Sequence, residues 1–252
     1  MTRRMFGRTR AVGSLVLALS RVPVWLCYLQ KSSLARHHEQ AFFRTIVKGF
    51  GIRIEQSGEQ SKVAGTLYIM NHISWADIPV MMAILDADFV AKSDILDWPG
   101  IGALARRFDP VFVARGRRGQ SHDQASAIRA RLSAGRSVIL CPEGTTSNGS
   151  TILPFRTTLF AAADSAIAVQ PVVLRYLDVS GEPLSPKRMR EVVWIGDDDL
   201  LPSAMRFASR SVQANVAFLP PVIAPSGGRK PIANMVREAM LDAYAAAPNR
   251  PR

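Results

Sequence analysis

Seven residues, Asn71-His72-Ile73-Ser74-Trp75-Ala76-Asp77, place an imidazole and a carboxylate five positions apart, after an apolar run and ahead of a helical pattern. On one helix the two would stand about 140° apart, so a shared face requires His72 on the turn before the helix. Ser74 supplies such a turn. As the N-cap it starts the helix at Trp75 and makes Asp77 the third helical residue, the acidic partner of a capping box. The Asp77 carboxylate then points back, where it can accept a proton from one imidazole nitrogen and leave the other free as a general base. An aspartate that only caps its helix beside an ordinary loop histidine has the same spacing, so the pair takes its meaning from its company.

That company follows in order along the chain. Arg115-Gly116-Arg117-Arg118, with Arg106 and Arg107 upstream, forms a cationic cluster whose guanidinium groups suit phosphate or carboxylate; a solvated basic face is the plainer alternative. Pro142-Glu143-Gly144-Thr145-Thr146 then sets a carboxylate, a flexible glycine and hydroxyls at the end of an apolar run. Val169-Gln170-Pro171-Val172 closes another strand. Cys141 is a conceivable nucleophile, but its place at the end of an apolar strand better suits a small buried hydrophobe. Gly100-Ile101-Gly102 imitates a dinucleotide fingerprint inside a helical pattern instead of after a strand. No His, Cys or carboxylate spacing suggests a metal site.

The elements that position these residues alternate. Strands are predicted at Ile52–Gln56, Thr66–Met70, Asp88–Ala91, Pro110–Ala114, Ser137–Cys141, Val169–Arg175, Val192–Ile195 and Val212–Phe218. Helices are predicted at Trp75–Leu85, Ile95–Arg107, Ser121–Ala134, Thr157–Ser165, Leu200–Ser209 and Ile232–Ala246. This is the pattern of an α/β fold, a single domain whose mixed, largely parallel sheet is flanked by helices, and the catalytic candidates sit on loops after strands. The division expected is an anchor over 1–50 and a catalytic domain over 51–252.

The chain has 252 residues, 48% of them hydrophobic, and a net charge of +12, which excludes a disordered chain and a polytopic membrane protein. Its two cysteines fit a reducing compartment and no disulfide framework. The first 54 residues hold ten basic side chains and one acidic; the other 198 are nearly balanced. Within that basic front end, Ala11–Leu29 is apolar and long enough, at about 28 Å as a helix, to approach a bilayer's span. Arg21 and Pro23 interrupt it, so an interfacial helix is as plausible as a full span. No small-residue cleavage site precedes Trp25, which argues against a signal peptide. Phe42, Phe43, Ile46, Val47 and Phe50 give Ser33–Phe50 an apolar face for lipid or for the sheet. Charge flanking a greasy segment favours an anionic membrane surface over nucleic acid, and no nucleic-acid-binding signature is present.

Together the four blocks resemble the glycerolipid acyltransferase family, typified by 1-acyl-glycerol-3-phosphate acyltransferase. The resemblance runs from about His72 to Val173 through its His-x4-Asp, Phe-x-x-Arg, Pro-Glu-Gly-Thr and Val-x-Pro-Val-type blocks. It implies that His72 is the general base and Asp77 its orienting partner, and that Arg115, Glu143, Gly144 and Thr145 serve acceptor binding. It implies no cofactor, acyl carrier protein or coenzyme A thioester as donor, a lysolipid as acceptor, and work at the cytoplasmic face of the bacterial inner membrane. Thr146 stands where the family commonly has arginine, which weakens the case for a phosphate on the acceptor. The segments SWADIP, FVAKSD, PEGTTSNG and VQPV look closest to the branch that acylates lyso-ornithine lipid. The non-enzymatic alternative is a basic membrane-surface or nucleic-acid-binding protein for which His72 is dispensable.

Overall fold

The computed structural model describes residues 2–29, 32–98, 100–113, 120–196, 198–222 and 228–246. Its centre is a seven-stranded sheet: β1 (Ile52–Ser57), β2 (Thr66–Met70), β3 (Asp88–Lys92), β4 (Val111–Val113), β5 (Val138–Leu140), β6 (Ala168–Leu177) and β7 (Val212–Phe218), in the order β1-β7-β6-β2-β5-β3-β4. Every neighbouring pair is parallel except β6 with β7.

Helices cover both faces, so the central strands are buried on both sides and read as continuous apolar runs. Along β2 the side chains alternate: Tyr68 and Met70 enter one apolar layer, Leu67 and Ile69 the other. The first layer is closed by α1 (Thr2–Leu19), α2 (Val22–Leu26), α3 (Ser33–Gly49), α4 (Asp77–Ile84), α7 (Pro186–Val192) and α8 (Leu200–Phe207). The second is closed by α6 (Gln120–Ser133), the 3-10 turns Thr157–Ser165 and α9 (Arg229–Ala245), while α5 (Ile101–Phe108) sends Phe108 into the first layer against Trp25, Phe42 and Phe43. Phe42, Phe43 and Val47 of α3 lie in the same layer as the sheet residues, so this helix turns its apolar stripe to the protein.

Away from the His72 turn, the structure departs from the sequence reading in four places. Val192–Ile195 is not a strand: Ser185 caps a helix by accepting the Arg188 amide, Pro186 opens it, and Val192 ends it. The helix expected over Ile95–Arg107 is broken into a 3-10 turn, Ser93–Asp97, and α5, because Trp98 is extended and Gly100 has φ +72°. Thr157–Ser165 winds as 3-10 turns.

The fourth departure concerns the continuity of the N-terminal apolar stretch. The apolar stretch Ala11–Leu29 is not one helix, since α1 ends at Leu19, Ser20 and Arg21 form a turn, and the short α2 carries Pro23 in its first turn. Among the described residues no helix is long and apolar enough to cross a membrane.

α1 packs with its small residues inward. Gly7 lies so close to the Ala208 carbonyl, and Gly49 of α3 so close to Ser14, that a side-chain carbon at either glycine would collide. Ala11 and Ala18 are buried on the same face, while Phe6, Val12, Val16, Leu17 and Leu19 are exposed.

Candidate active site

The site forms where β2 and β5 end side by side. Leu67, Tyr68 and Ile69 pair with Val138, Ile139 and Leu140 at a constant offset. Extended past the strand ends, that offset brings His72 level with Glu143. The amide of His72 donates to Glu143 Oε1 at 2.7 Å, and the Leu153 amide donates to Oε2 at 2.8 Å. Glu143 is buried, and desolvation raises its pKa to about 7 against the pull of those two amides.

On the other flank of β2, Asn71 continues the sheet with its side chain. Its amide group donates to the Leu174 carbonyl and accepts from the Leu174 amide, at 2.9 and 2.8 Å. Further contacts clamp the following turn: the Ser147 amide donates to the His72 carbonyl, the Trp194 amide to the Ile73 carbonyl, and the Ser74 hydroxyl to the Val192 carbonyl. The Thr146 hydroxyl donates to the Trp194 carbonyl.

His72 Nδ1 lies 2.7 Å from Asp77 Oδ2. Asp77 is the first residue of α4, not the third, and Ser74 does not cap the helix. Instead the Ser74 hydroxyl faces Val192, and the Asp77 carboxylate reaches back over the turn to accept the amides of Ile73 and Ser74 at 2.7 and 2.9 Å. Its other oxygen accepts the Tyr176 hydroxyl at 2.8 Å. The carboxylate already accepts two amides and a hydroxyl, so we assign Nδ1–H as its further donor, which leaves the lone pair on Nε2. The His72 side chain retains 20% of its accessible surface while that of Asp77 retains none, so the imidazole is reachable and its partner is not.

The other candidates divide. Gly144 has φ +67°, which favours glycine, and a side-chain carbon there would stand 2.7 Å from Nε of the exposed Arg156 side chain, which would have to move aside. Thr145 is exposed beside it, as is Arg156. Arg115 lies outside the described residues. Cys141 is screened by burial, and the charges of Asp77 and Glu143 push its thiol further up, which keeps it protonated and poor as a nucleophile. Among the described residues no group of three or more His, Cys, Asp or Glu could hold a metal ion.

Sequence reasoning missed Tyr176 and Arg156. Tyr176 reaches Asp77 only because β6 runs on to Leu177, beyond the level where β2 stops at Met70 opposite Val172. Arg156 follows the Pro-Glu-Gly-Thr block by a loop whose return is held by the Arg156 amide on the Pro142 carbonyl, a nonlocal contact without a local signature.

Residues 52–175 match the family described as Acyltransferase. A lyso-ornithine lipid O-acyltransferase of Brucella abortus is 40% identical over 74% of this chain and 73% of its own length. Another, from Rhizobium meliloti, is 36% identical over 71% of this chain and 63% of its own. The crystal structure of the 1-acyl-sn-glycerophosphate acyltransferase PlsC from Thermotoga maritima superposes with a TM-score of 0.69 at 16% identity, covering 99% of this chain and 96% of that one. At that identity the likeness speaks for the fold.

Proposed function

Because the chain belongs to the acyltransferase family, we propose that it transfers a fatty acyl group from a thioester to the free hydroxyl of a lysolipid, with lyso-ornithine lipid as the acceptor. The observation that carries this reading is the 2.7 Å contact between His72 Nδ1 and the buried Asp77, in a chain whose relatives of 40% and 36% identity act on that lipid by name.

His72 Nε2 removes the hydroxyl proton as the alcohol oxygen attacks the thioester carbonyl. The tetrahedral adduct collapses with expulsion of the thiolate, which takes up the proton from the imidazolium, so no acyl group rests on the protein. Asp77 holds the tautomer and stabilises the transient imidazolium. Acyl carrier protein or coenzyme A carries the donor, and no metal or organic cofactor takes part. Glu143, spent on two backbone amides, positions the His72 turn, while Gly144, Thr145, Arg115 and Arg156 are assigned to the acceptor. The hydroxyl of Thr146 straps the Trp194 segment to the site, which leaves this position without a cation and favours an acceptor lacking a phosphate there.

The outward face of α1 supports attachment to one leaflet: its large apolar side chains are exposed while Gly7, Ala11 and Ala18 are buried, the reverse of a helix built for water. We place the enzyme on the cytoplasmic face of the inner membrane, lying on the bilayer. The deciding assay offers a labelled acyl thioester with lyso-ornithine lipid and with lysophosphatidate in turn. Transfer to the first, lost in His72→Ala, supports the proposal; transfer only to the second replaces the acceptor, and transfer surviving in a folded His72→Ala overturns the mechanism.

A further inference from the structure

A concavity lies away from the dyad, between the N-terminal half of α1 and the segments flanking α7 and α8, with a volume of about 890 Å³. α7 separates the two places. Its last residue, Val192, accepts the Ser74 hydroxyl beside the dyad, whereas Arg188, one turn earlier, lines the cleft, and neither His72 nor Asp77 does.

Four arginines converge on the cleft: Arg4 and Arg10 from α1, Arg188 and Arg210 from the body. Two acids stand against them. Glu191 is shared, accepting Arg188 at 2.8 Å and Arg4 at 3.4 Å. Asp178 is held inside its own turn by the Ser180 amide and hydroxyl and by the Glu182 amide. Arg10 meets neutral oxygens, the Gly49 carbonyl at 2.9 Å and the Ser211 hydroxyl at 3.5 Å. Arg210 is exposed and has no carboxylate partner among the described residues. Burial lowers the pKa of Arg188, Glu191 opposes the shift, and the fields of Arg210 and Arg4 add to it, so positive charge here exceeds its local compensation.

The rim is apolar. Phe6 is 70% exposed and Val179 59% exposed at the mouth, and the Phe6 side of the cleft continues into the exposed apolar face of α1. A cationic pocket that opens onto a greasy edge matches an anionic amphiphile: charge alone would suit inorganic phosphate, but the rim has no use for it.

We propose that this cleft binds the anionic headgroup of a bilayer phospholipid, its phosphate against Arg10 and Arg210 and its chains along Phe6 and Val179, as a site separate from the one where acyl transfer occurs. The inference rests on the reading that α1 lies on the membrane, and soluble short-chain lipid tests it without a bilayer and without turnover.

The full chain is titrated calorimetrically, without acyl donor, with dihexanoyl phosphatidylglycerol below its micelle concentration, with dihexanoyl phosphatidylcholine and with inorganic phosphate. Saturable binding of the anionic lipid, about tenfold or more tighter than either comparison ligand, is expected. Arg210→Glu weakens it about tenfold. Lys62→Glu, the same change of charge at an exposed position ahead of β2, leaves it unchanged. Circular dichroism verifies folding, and Arg210→Ala, predicted to weaken binding by a smaller factor, stands in should the reversal disturb it. The proposal is overturned if the anionic lipid does not bind, if phosphate or the zwitterionic lipid binds as tightly, if both Arg210 variants bind like the parent chain, or if Lys62→Glu weakens binding as much. Failure of acyl transfer in the assay above leaves all these outcomes readable.

Discussion

Tyr176 donates its hydroxyl proton to Asp77 Oδ1 at 2.8 Å, joining the far end of β6 to the first residue of α4. The contact occupies the carboxylate oxygen that His72 does not use. It holds the carboxylate in the plane that serves the imidazole, and it does so in a fully buried setting where a hydrogen bond to a charge is strong.

Tyr176→Phe should therefore lower kcat about tenfold while leaving the KM for the acceptor unchanged, since the tyrosine is buried behind the dyad. It should also reduce unfolding stability by about 1.5–3 kcal/mol. Steady-state kinetics over both substrates checks the split. A rise in KM with constant kcat would mean that the hydroxyl touches substrate and not the dyad.

Asp77→Asn keeps the shape but presents an NH₂ group where donors already converge. In the place of Oδ2 that NH₂ group opposes His72 Nδ1–H and the Ile73 and Ser74 amides at once; in the place of Oδ1 it meets the Tyr176 hydroxyl, and in either orientation the transient imidazolium loses its counter-charge. The expected fall in kcat is about 10²–10⁴. Thermal unfolding of the same variant should shift downward; a variant as active as the parent would remove Asp77 from the mechanism.

Glu143 predicts a pH dependence of stability. Its carboxyl titrates near 4.5 in the open chain and at about 7 when folded, so the folded state binds the proton more tightly. A raised pKa gives stability that is complete below about 4.5 and is lost as pH climbs through about 7, with a slope of at most about 1.4 kcal/mol per pH unit. Urea unfolding between pH 5 and 8 should show this decline in the parent chain and a flatter profile in Glu143→Gln. Parallel profiles would assign the titration elsewhere.

The two thiols should differ sharply. Cys27 is exposed, whereas the Cys141 thiol is pushed well above its ordinary range by burial and by the charges of Asp77 and Glu143. Iodoacetamide at neutral pH is expected to label Cys27 alone and to leave acyl transfer intact. Rapid loss of activity on labelling of Cys141 would restore a thiol route.

How much of this was legible depended on distance along the chain. β2 and β5 could be read because central parallel strands are apolar on both faces, and the residues just past their ends carried the chemistry. Asp77 was readable as reaching back over the turn, but not the means: Ser74, which looked like the cap, is drawn away by the Val192 carbonyl, a partner 118 residues distant. The same separation hid Tyr176, whose reach is set by β6 outlasting its neighbour. Val192–Ile195 looked like a strand because its residues are β-formers, yet Ser185 and Pro186 had already committed the chain to α7. Hydropathy marked Ala11–Leu29 as greasy without revealing that the large side chains of α1 face outward and Gly7, Ala11 and Ala18 inward.

The pairing of Ile69 with Leu140 bears on how this chain tolerates changes of length. His72 and Glu143 are 71 positions apart, yet surface connections elsewhere in that interval can lengthen or shorten without moving either of them, because the sheet itself brings them together. One residue added within Val138–Glu143 would be different: it would turn the carboxylate to the opposite side of the pleat and detach it from the histidine amide.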